Sequence, residues 1–146
     1  MALGKGQQAP AAAIQAFRGM FNDGPVLLAF YKVSCPVCQL ALPFLERLRG
    51  GGIQVVPVSQ DDADAAAEFD AEFGTRTAFL DNEDSGFVLS NAFGITNVPS
   101  MFLVEPGGAI TWNSTGFFKR DLEDLAGRAG KPIFLPGEKV PEAKSG

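Results

Sequence analysis

Residues 26–48 read VLLAFYKVSCPVCQLALPFLERL, and this stretch decides the fold of the chain. Its first part, Val26–Tyr31, is apolar without alternation, which is typical of a strand covered on both faces in the middle of a parallel sheet. From Val37 onward the apolar residues recur at i, i+3, i+4, i+7, i+8 and i+11, which predicts an amphipathic helix. The stretch therefore predicts a buried strand that leads into a helix, with a Cys-Pro-Val-Cys motif at the junction.

The two cysteines, Cys35 and Cys38, lie at the predicted start of this helix. With Cys35 as the N-cap, Pro36 occupies the first helical position, where its missing N–H costs nothing. The amides of Val37 and Cys38 then point back toward the Cys35 sulfur, and the positive end of the helix dipole favours the thiolate over the thiol. We expect Cys35 to be the exposed nucleophile and Cys38, which lies closer to the core, to resolve the mixed disulfide.

Two other interpretations of the cysteine pair were weighed against redox activity. A zinc site needs four ligands, typically Cys or His, and the chain has two Cys and no His. We therefore expect no metal unless two chains share an ion. An inert structural disulfide stays open, although closing so short a loop removes little entropy from the unfolded chain. A C-x-x-C motif at a strand–helix junction instead favours a redox-active pair.

The composition indicates one globular domain. The chain has 146 residues, of which 46% are hydrophobic and 20% charged, and this is the size of one ordinary domain. The net charge of −5 argues against nucleic acid as a partner, because phosphate binding needs clustered Lys and Arg.

Nothing in the sequence predicts a membrane span or a signal peptide. The apolar runs are shorter than the about 18 residues that a membrane span needs, and the N-terminal residues lack an apolar signal-peptide core. We expect a cytoplasmic protein as the sequence is written, or a periplasmic or otherwise extracytoplasmic one if a leader or tether was removed.

The rest of the chain alternates between predicted helices and strands. Helices are expected over residues 10–21, 61–74, 85–93 and 118–129. Strands are expected over residues 53–58, 77–80, 100–105 and 109–113, the last two as a hairpin. Pro57 should lie near the end of its strand or at a sheet edge, and Pro43 should kink the helix after the motif. This order predicts an α/β protein with a sheet layered by helices.

Residues 93–104, FGITNVPSMFLV, resemble the cis-proline segment of thioredoxin-like proteins. The similarity covers about residues 25–129, and Pro43 matches the kinked helix of that family. It implies a thioredoxin fold, with a central mixed β-sheet flanked by helices on both faces. The stretch between the second strand and the cis-proline segment is longer than in a minimal thioredoxin, and resembles the insertion of membrane-tethered thioredoxin-like and peroxiredoxin-like (AhpC-TSA-like) proteins.

The expected domain organisation follows from this resemblance. We expect residues 1–146 to form a single thioredoxin-like domain, with its core at about 25–129 and a partly disordered tail over 131–146. We also expect the Val98–Pro99 bond to be cis.

The resemblance also implies a function. A thioredoxin-like protein would exchange a dithiol for a protein disulfide through Cys35 and Cys38, and we expect it to act as a reductase. In that family the residue before the cis-proline pairs with the substrate backbone, and the proline faces the C-x-x-C motif. The residues implied in substrate contact are Pro36, Val37, Val98 and Pro99. The partners would be protein disulfides and an upstream thiol electron donor, the chain would be a monomer, and no cofactor would be needed.

Three features depart from the thioredoxin pattern. Ser34 replaces the Trp before the first cysteine, and Ala29 replaces the buried acid that helps deprotonate the second thiol. A bound water, Glu68 or Glu72 therefore stay as candidates for the proton acceptor of Cys38. The Pro-Val dipeptide differs from the Gly-Pro of thioredoxin, and because this dipeptide tunes the redox poise, the direction of electron flow stays open.

Two alternative functions stay open as well. A peroxiredoxin-like thiol peroxidase would have Thr or Ser three residues before its reactive cysteine, where this chain has Lys32. A non-enzymatic redox-sensing or binding module would keep the fold and use the disulfide as a switch.

Overall fold

The buried strand of the deciding stretch, β1 (Val26–Tyr31), lies at the centre of a five-stranded sheet in the computed structural model, which describes residues 2–146. Its neighbours are β2 (Gln54–Ser59) and then β3 (Phe79–Leu80) on one side, and β4 (Ser100–Val104) and then β5 (Ile110–Thr115) on the other. The β1–β2 and β2–β3 pairs are parallel, whereas β1–β4 and β4–β5 are antiparallel. The sheet is mixed, as expected, and every residue of β1 is buried.

Helices cover both faces of this sheet. They are α1 (Ala11–Ala16), α2 (Pro36–Glu46), α3 (Ala63–Phe73), α4 (Val88–Phe93) and α5 (Lys119–Ala129). Because alternate residues of a strand point to opposite faces, the odd-numbered residues of β1 pack with α2 and α5, and the even-numbered ones pack with α1 and α4. The predicted α/β architecture, with helices on both faces of a mixed sheet, is confirmed.

Two predicted helices are shorter than the sequence pattern suggests. The helix predicted over 10–21 ends at Ala16 and continues as a 3₁₀-helix over Arg18–Asp23, where Gly19 has low α-helix propensity. The helix predicted over 85–93 begins only at Val88. Phe87 before it has a φ of 52°, in the left-handed region, and this residue separates α4 from a 3₁₀-turn over Glu83–Ser85.

Pro57 lies within β2, which has neighbours on both sides, although an edge or an end was expected. The Pro57 carbonyl accepts a hydrogen bond from the Ala78 N–H at 2.9 Å, so the position faces the β3 side. The ladder between β2 and β3 joins only Val58 and Ser59 to Phe79 and Leu80. The position where Pro57 lacks an N–H therefore comes before this ladder, so that no residue of β3 loses a hydrogen-bond partner.

Residues 131–146, for which the sequence predicts partial disorder, have defined contacts with the body of the protein. The Phe134 ring packs on Phe44, with centroids 5.0 Å apart. Both guanidinium Nη atoms of Arg47 donate to the Glu138 carboxylate, at 2.7 and 2.9 Å. This hydrogen-bonded pair lowers the pKa of Glu138 to about 2, so that the carboxylate stays ionised at acidic pH values where an ordinary glutamate is protonated. An aromatic contact and a bidentate ion pair together anchor the segment.

Asp81 fixes α4, the helix that precedes the cis-proline segment. Its side chain is fully buried. Its carboxylate accepts hydrogen bonds from the N–H groups of Leu89 at 3.0 Å and Ser90 at 2.7 Å, and from the Ser90 hydroxyl at 2.6 Å. The Ser90 carbonyl in turn accepts from the Ile95 N–H at 3.0 Å. These hydrogen bonds, from Asp81 through Ser90 to Ile95, fix the position at which the loop toward Val98 begins.

Replacing Asp81 with alanine should lower the free energy of unfolding by about 2 kcal/mol, because buried N–H groups would lose a charged acceptor. Denaturant-induced unfolding followed by circular dichroism measures this loss. The matched control is Asp84→Ala, since Asp84 is an exposed acid three residues further along, and it should leave stability unchanged. Equal stability of the two variants would contradict the role of Asp81.

Candidate active site

Cys35 is the N-cap of α2, at the junction with the sheet. Its backbone is extended, with φ −85° and ψ 114°, and Pro36 takes the first helical position. The Cys38 N–H donates a hydrogen bond to Cys35 Sγ at 3.2 Å. The predicted cap geometry is confirmed, and a backbone donor at a helix N-terminus stabilises negative charge on the sulfur it contacts.

The two cysteines are both free thiols but differ in exposure. Cys35 is half-buried, whereas the exposed fraction of Cys38 is 0%. Burial raises the pKa of the Cys38 thiol above its ordinary value, and its hydrogen bond with the Cys35 side chain raises that pKa further. The site therefore combines one accessible sulfur at a helix N-terminus with one buried sulfur that is held as the thiol.

The cis-proline segment lies directly against Cys35. The Val98–Pro99 peptide bond is cis, as predicted. The Cys35 thiol donates to the Val98 carbonyl oxygen, with Sγ and O 3.6 Å apart, and the Gly116 N–H donates to the Pro99 carbonyl at 2.8 Å. Of the residues between the two cysteines, Pro36 is exposed and Val37 is half-buried. The predicted site residues are thus brought together at one edge of the sheet.

A shallow cavity of about 230 Å³ adjoins this edge. Val98 and Ile95 line it on the loop side, Ser90 and Asn91 on the α4 side, and the exposed Lys32 stands at its margin.

Asp61 is a site residue that the sequence pattern did not single out. It lies at the start of the helix predicted over residues 61–74, but the N-cap of α3 is Asp62, which accepts from the Ala65 N–H at 2.8 Å. Asp61 instead accepts from the Val33 N–H at 2.8 Å, just before the cysteine motif. One signal was present: Asp61 follows the strand parallel to β1, and the carboxyl ends of parallel strands meet at one edge of a sheet.

The negative charge of Asp61 also raises the pKa of the Cys38 thiol, but less than burial, the hydrogen bond with the Cys35 side chain and the charge on Cys35 do. Glu68 and Glu72, the acids considered from the sequence, are exposed on α3 beside Val33. Ala29 lies in the same buried cluster as Cys38. The position that holds an acid in thioredoxin is therefore apolar here, and Asp61 is an acid that is hydrogen-bonded to the cysteine loop.

Among residues 2–146, no group of three or more His, Cys, Asp or Glu side chains is placed to hold a metal ion. None of the helices described there has the length and apolar character needed to cross a membrane.

Comparison with known protein sequences gives relatives of one kind, although no family model matches the chain. The chain is 29% identical over 121 residues to the thiol:disulfide interchange protein DsbE of Yersinia pestis, a match that covers 82% of this chain and 60% of that protein. It is 28% identical over 126 residues to the thiol:disulfide interchange protein HelX of Rhodobacter capsulatus, covering 80% and 71%. The chain thus spans little more than half the length of its DsbE relative.

Comparison with solved structures gives proteins that share the thioredoxin fold. The chain is similar to the thioredoxin domain of a thiol-disulfide oxidoreductase from Bacteroides vulgatus, with a TM-score of 0.69 at 19% identity, over 87% of this chain and 98% of that one. It is also similar to a secreted disulfide oxidoreductase of Mycobacterium tuberculosis, with a TM-score of 0.58 at 22% identity, over 74% and 81%.

Asp61→Asn should lower the pKa of Cys38, because it removes a negative charge and keeps an oxygen that can accept from the Val33 N–H. The measurement is the pH profile of the rate at which iodoacetamide modifies Cys38 in a Cys35→Ser background, where one thiol reacts. The Asp61→Asn curve should shift to lower pH. Asp62→Asn, a charge removal at the neighbouring helix cap, serves as the control and should leave the curve in place. Coincident curves for all three proteins would refute the influence of Asp61.

Proposed function

We propose that this chain, which has a thioredoxin fold, is a thiol–disulfide oxidoreductase that acts on protein disulfides through Cys35 and Cys38. The observation that carries the proposal is the pairing of a half-buried sulfur at the N-terminus of α2 with a buried thiol one turn later. The relatives support it, because they are named as thiol:disulfide interchange proteins.

In the first step the Cys35 thiolate attacks one sulfur of the substrate disulfide. A bond forms between Cys35 Sγ and that sulfur, and the substrate S–S bond breaks. The other substrate sulfur leaves as a thiolate and takes a proton from solvent. The Cys38 N–H, which donates to Cys35 Sγ at 3.2 Å, favours the attacking thiolate before this step.

In the second step Cys38 releases its proton to solvent and attacks Cys35 Sγ. An S–S bond forms between the two cysteines, the mixed disulfide breaks, and the second substrate sulfur leaves as a thiolate that takes a proton from solvent. The substrate has then gained two electrons and two protons, and the chain is oxidised. The raised pKa of Cys38 keeps its thiol protonated in the free protein, so that Cys35 is the sulfur that attacks first.

Return to the dithiol needs an electron donor, which we propose to be an upstream thiol protein. With such a donor the chain acts as a reductase and needs no organic cofactor. The substrate polypeptide would lie across Pro36 and Val37 and along Val98 and Pro99. One substrate side chain would enter the cavity beside Val98. We expect the monomer to be the active form.

We further propose an extracytoplasmic location. One protein with the same fold is named as secreted. Disulfides persist in oxidising compartments and are scarce in the cytosol, so a dithiol reductase finds its substrates there.

Reduction of insulin disulfides, with dithiothreitol as electron source, tests the proposal. The wild-type chain should accelerate the reaction, and Cys35→Ser should return the rate to the uncatalysed one, because the attacking sulfur is gone. Cys38→Ser, incubated with insulin without dithiothreitol, should accumulate a covalent adduct that mass spectrometry detects, since the mixed disulfide has no resolving thiol.

Ser34→Ala is the matched control for both assays, because Ser34 is exposed beside the motif and has no sulfur. It should keep the wild-type rate. A wild-type chain without effect on insulin would count against the proposal. A Cys38→Ser chain that forms no adduct and turns over at the wild-type rate would overturn the assignment of roles.

A further inference from the structure

Residues 141–146, which we call the strap, run beside the candidate active site. Within the strap, β7 (Ala143–Lys144) pairs antiparallel with β6 (Phe117–Phe118), which follows β5. The Lys119 N–H donates to the Glu142 carbonyl at 3.0 Å and continues this pairing. The strap therefore supplies one strand of a two-stranded sheet with β6.

The pairing carries the strap to the main chain of Val98. Gly146 lies so close that a β-carbon built on it would collide with the Val98 carbonyl oxygen. A β-carbon built on Gly116 would lie 2.8 Å from the Lys144 carbonyl oxygen. The Val98 carbonyl is also the acceptor of the Cys35 thiol, at 3.6 Å. Gly146 and the candidate nucleophile thus meet at the same carbonyl group.

We propose that the strap occupies the edge where the main chain of a substrate docks, and that an extended polypeptide must displace it to reach Cys35. The inference rests on the proposed function and adds a regulation of that site. Extended peptides bind at exposed strand edges through main-chain hydrogen bonds. The backbone of the strap already takes that place along β6 and beside Val98.

The strap is held in a way that allows this displacement. Residues 142–146 are exposed, so their side chains add little buried area to the pairing. The ion pair between Lys119 and Glu142 is 3.8 Å long, and the Glu142 side chain is 86% exposed, which makes its contribution small. The preceding anchor, with the Arg47–Glu138 pair, is firmer. The strap can therefore open locally while residues 131–140 stay in place.

The test uses the 146-residue chain with Lys144→Pro, because Lys144 lies opposite Phe117 in a hydrogen-bonded pair of the ladder and proline has no N–H to donate to β6. The matched control is Lys144→Gln, which removes the same charge and keeps the N–H group. Each protein is assayed with insulin and with hydroxyethyl disulfide, a small substrate that needs no strand pairing. The proline variant should lower the KM for insulin by about threefold to tenfold, with the hydroxyethyl disulfide rate unchanged and the control like wild type.

The possible outcomes distinguish failure of the strap proposal from failure of the proposed function. If the wild-type chain reacts with neither substrate, the proposed function itself is contradicted. If the wild-type chain exchanges with hydroxyethyl disulfide but the proline variant has an unchanged KM for insulin, only the proposal about the strap is contradicted. Equal acceleration of both substrates would also overturn it, because the strap would then shield the sulfur rather than occupy a docking edge.

A second measurement needs no strap variant. In Cys38→Ser trapped as a mixed disulfide with a peptide, hydrogen exchange at the Lys119 amide should be faster than in the free Cys38→Ser protein, because the bond to Glu142 is broken. Unchanged exchange in the trapped complex would contradict displacement.

Discussion

The hydrogen bond from the Cys38 N–H to Cys35 Sγ is the interaction on which the site depends, and it exists because a short loop after β1 places Cys35 at the N-cap of α2. The six buried residues of β1 hold that junction at the centre of the sheet. The same packing that seats α2 on the sheet buries Cys38 and leaves Cys35 at the free end of the helix. One local geometry therefore produces two chemically different sulfurs: an accessible one that is placed to attack and a buried one that is kept as the thiol.

The sheet register brings the second half of the site to this junction. Because β4 runs antiparallel to β1, with Ser100 opposite Phe30, the residues before Ser100 must lie beyond the carboxyl end of β1, where the cysteine motif starts. The parallel β2 ends at the same edge, with Ser59 opposite Tyr31, and delivers Asp61 to the loop before Cys35. Strand direction alone thus gathers three distant segments around one sulfur.

The sequence predicts the features that local patterns determine. The apolar run of β1, the helical spacing after Val37 and the Pro at the first helical position each carry their own signal, and all three are confirmed. The bond between Asp61 and the Val33 N–H depends on which strands are neighbours, which no local pattern states. The pairing of β6 with β7 joins strands of two residues each, too short for any periodicity to reveal. Contacts of this kind follow from the topology, so they had to come from the structure.

The difference between the two sulfurs is tested most directly by brief alkylation of the reduced, folded protein with limiting iodoacetamide, followed by peptide mass spectrometry. Modification should fall almost wholly on Cys35, because Cys38 is buried and its raised pKa keeps it as the thiol. In denaturant both cysteines should react at similar rates, which shows that the fold makes the difference. Equal modification of Cys35 and Cys38 in the folded protein would contradict the division of roles between them.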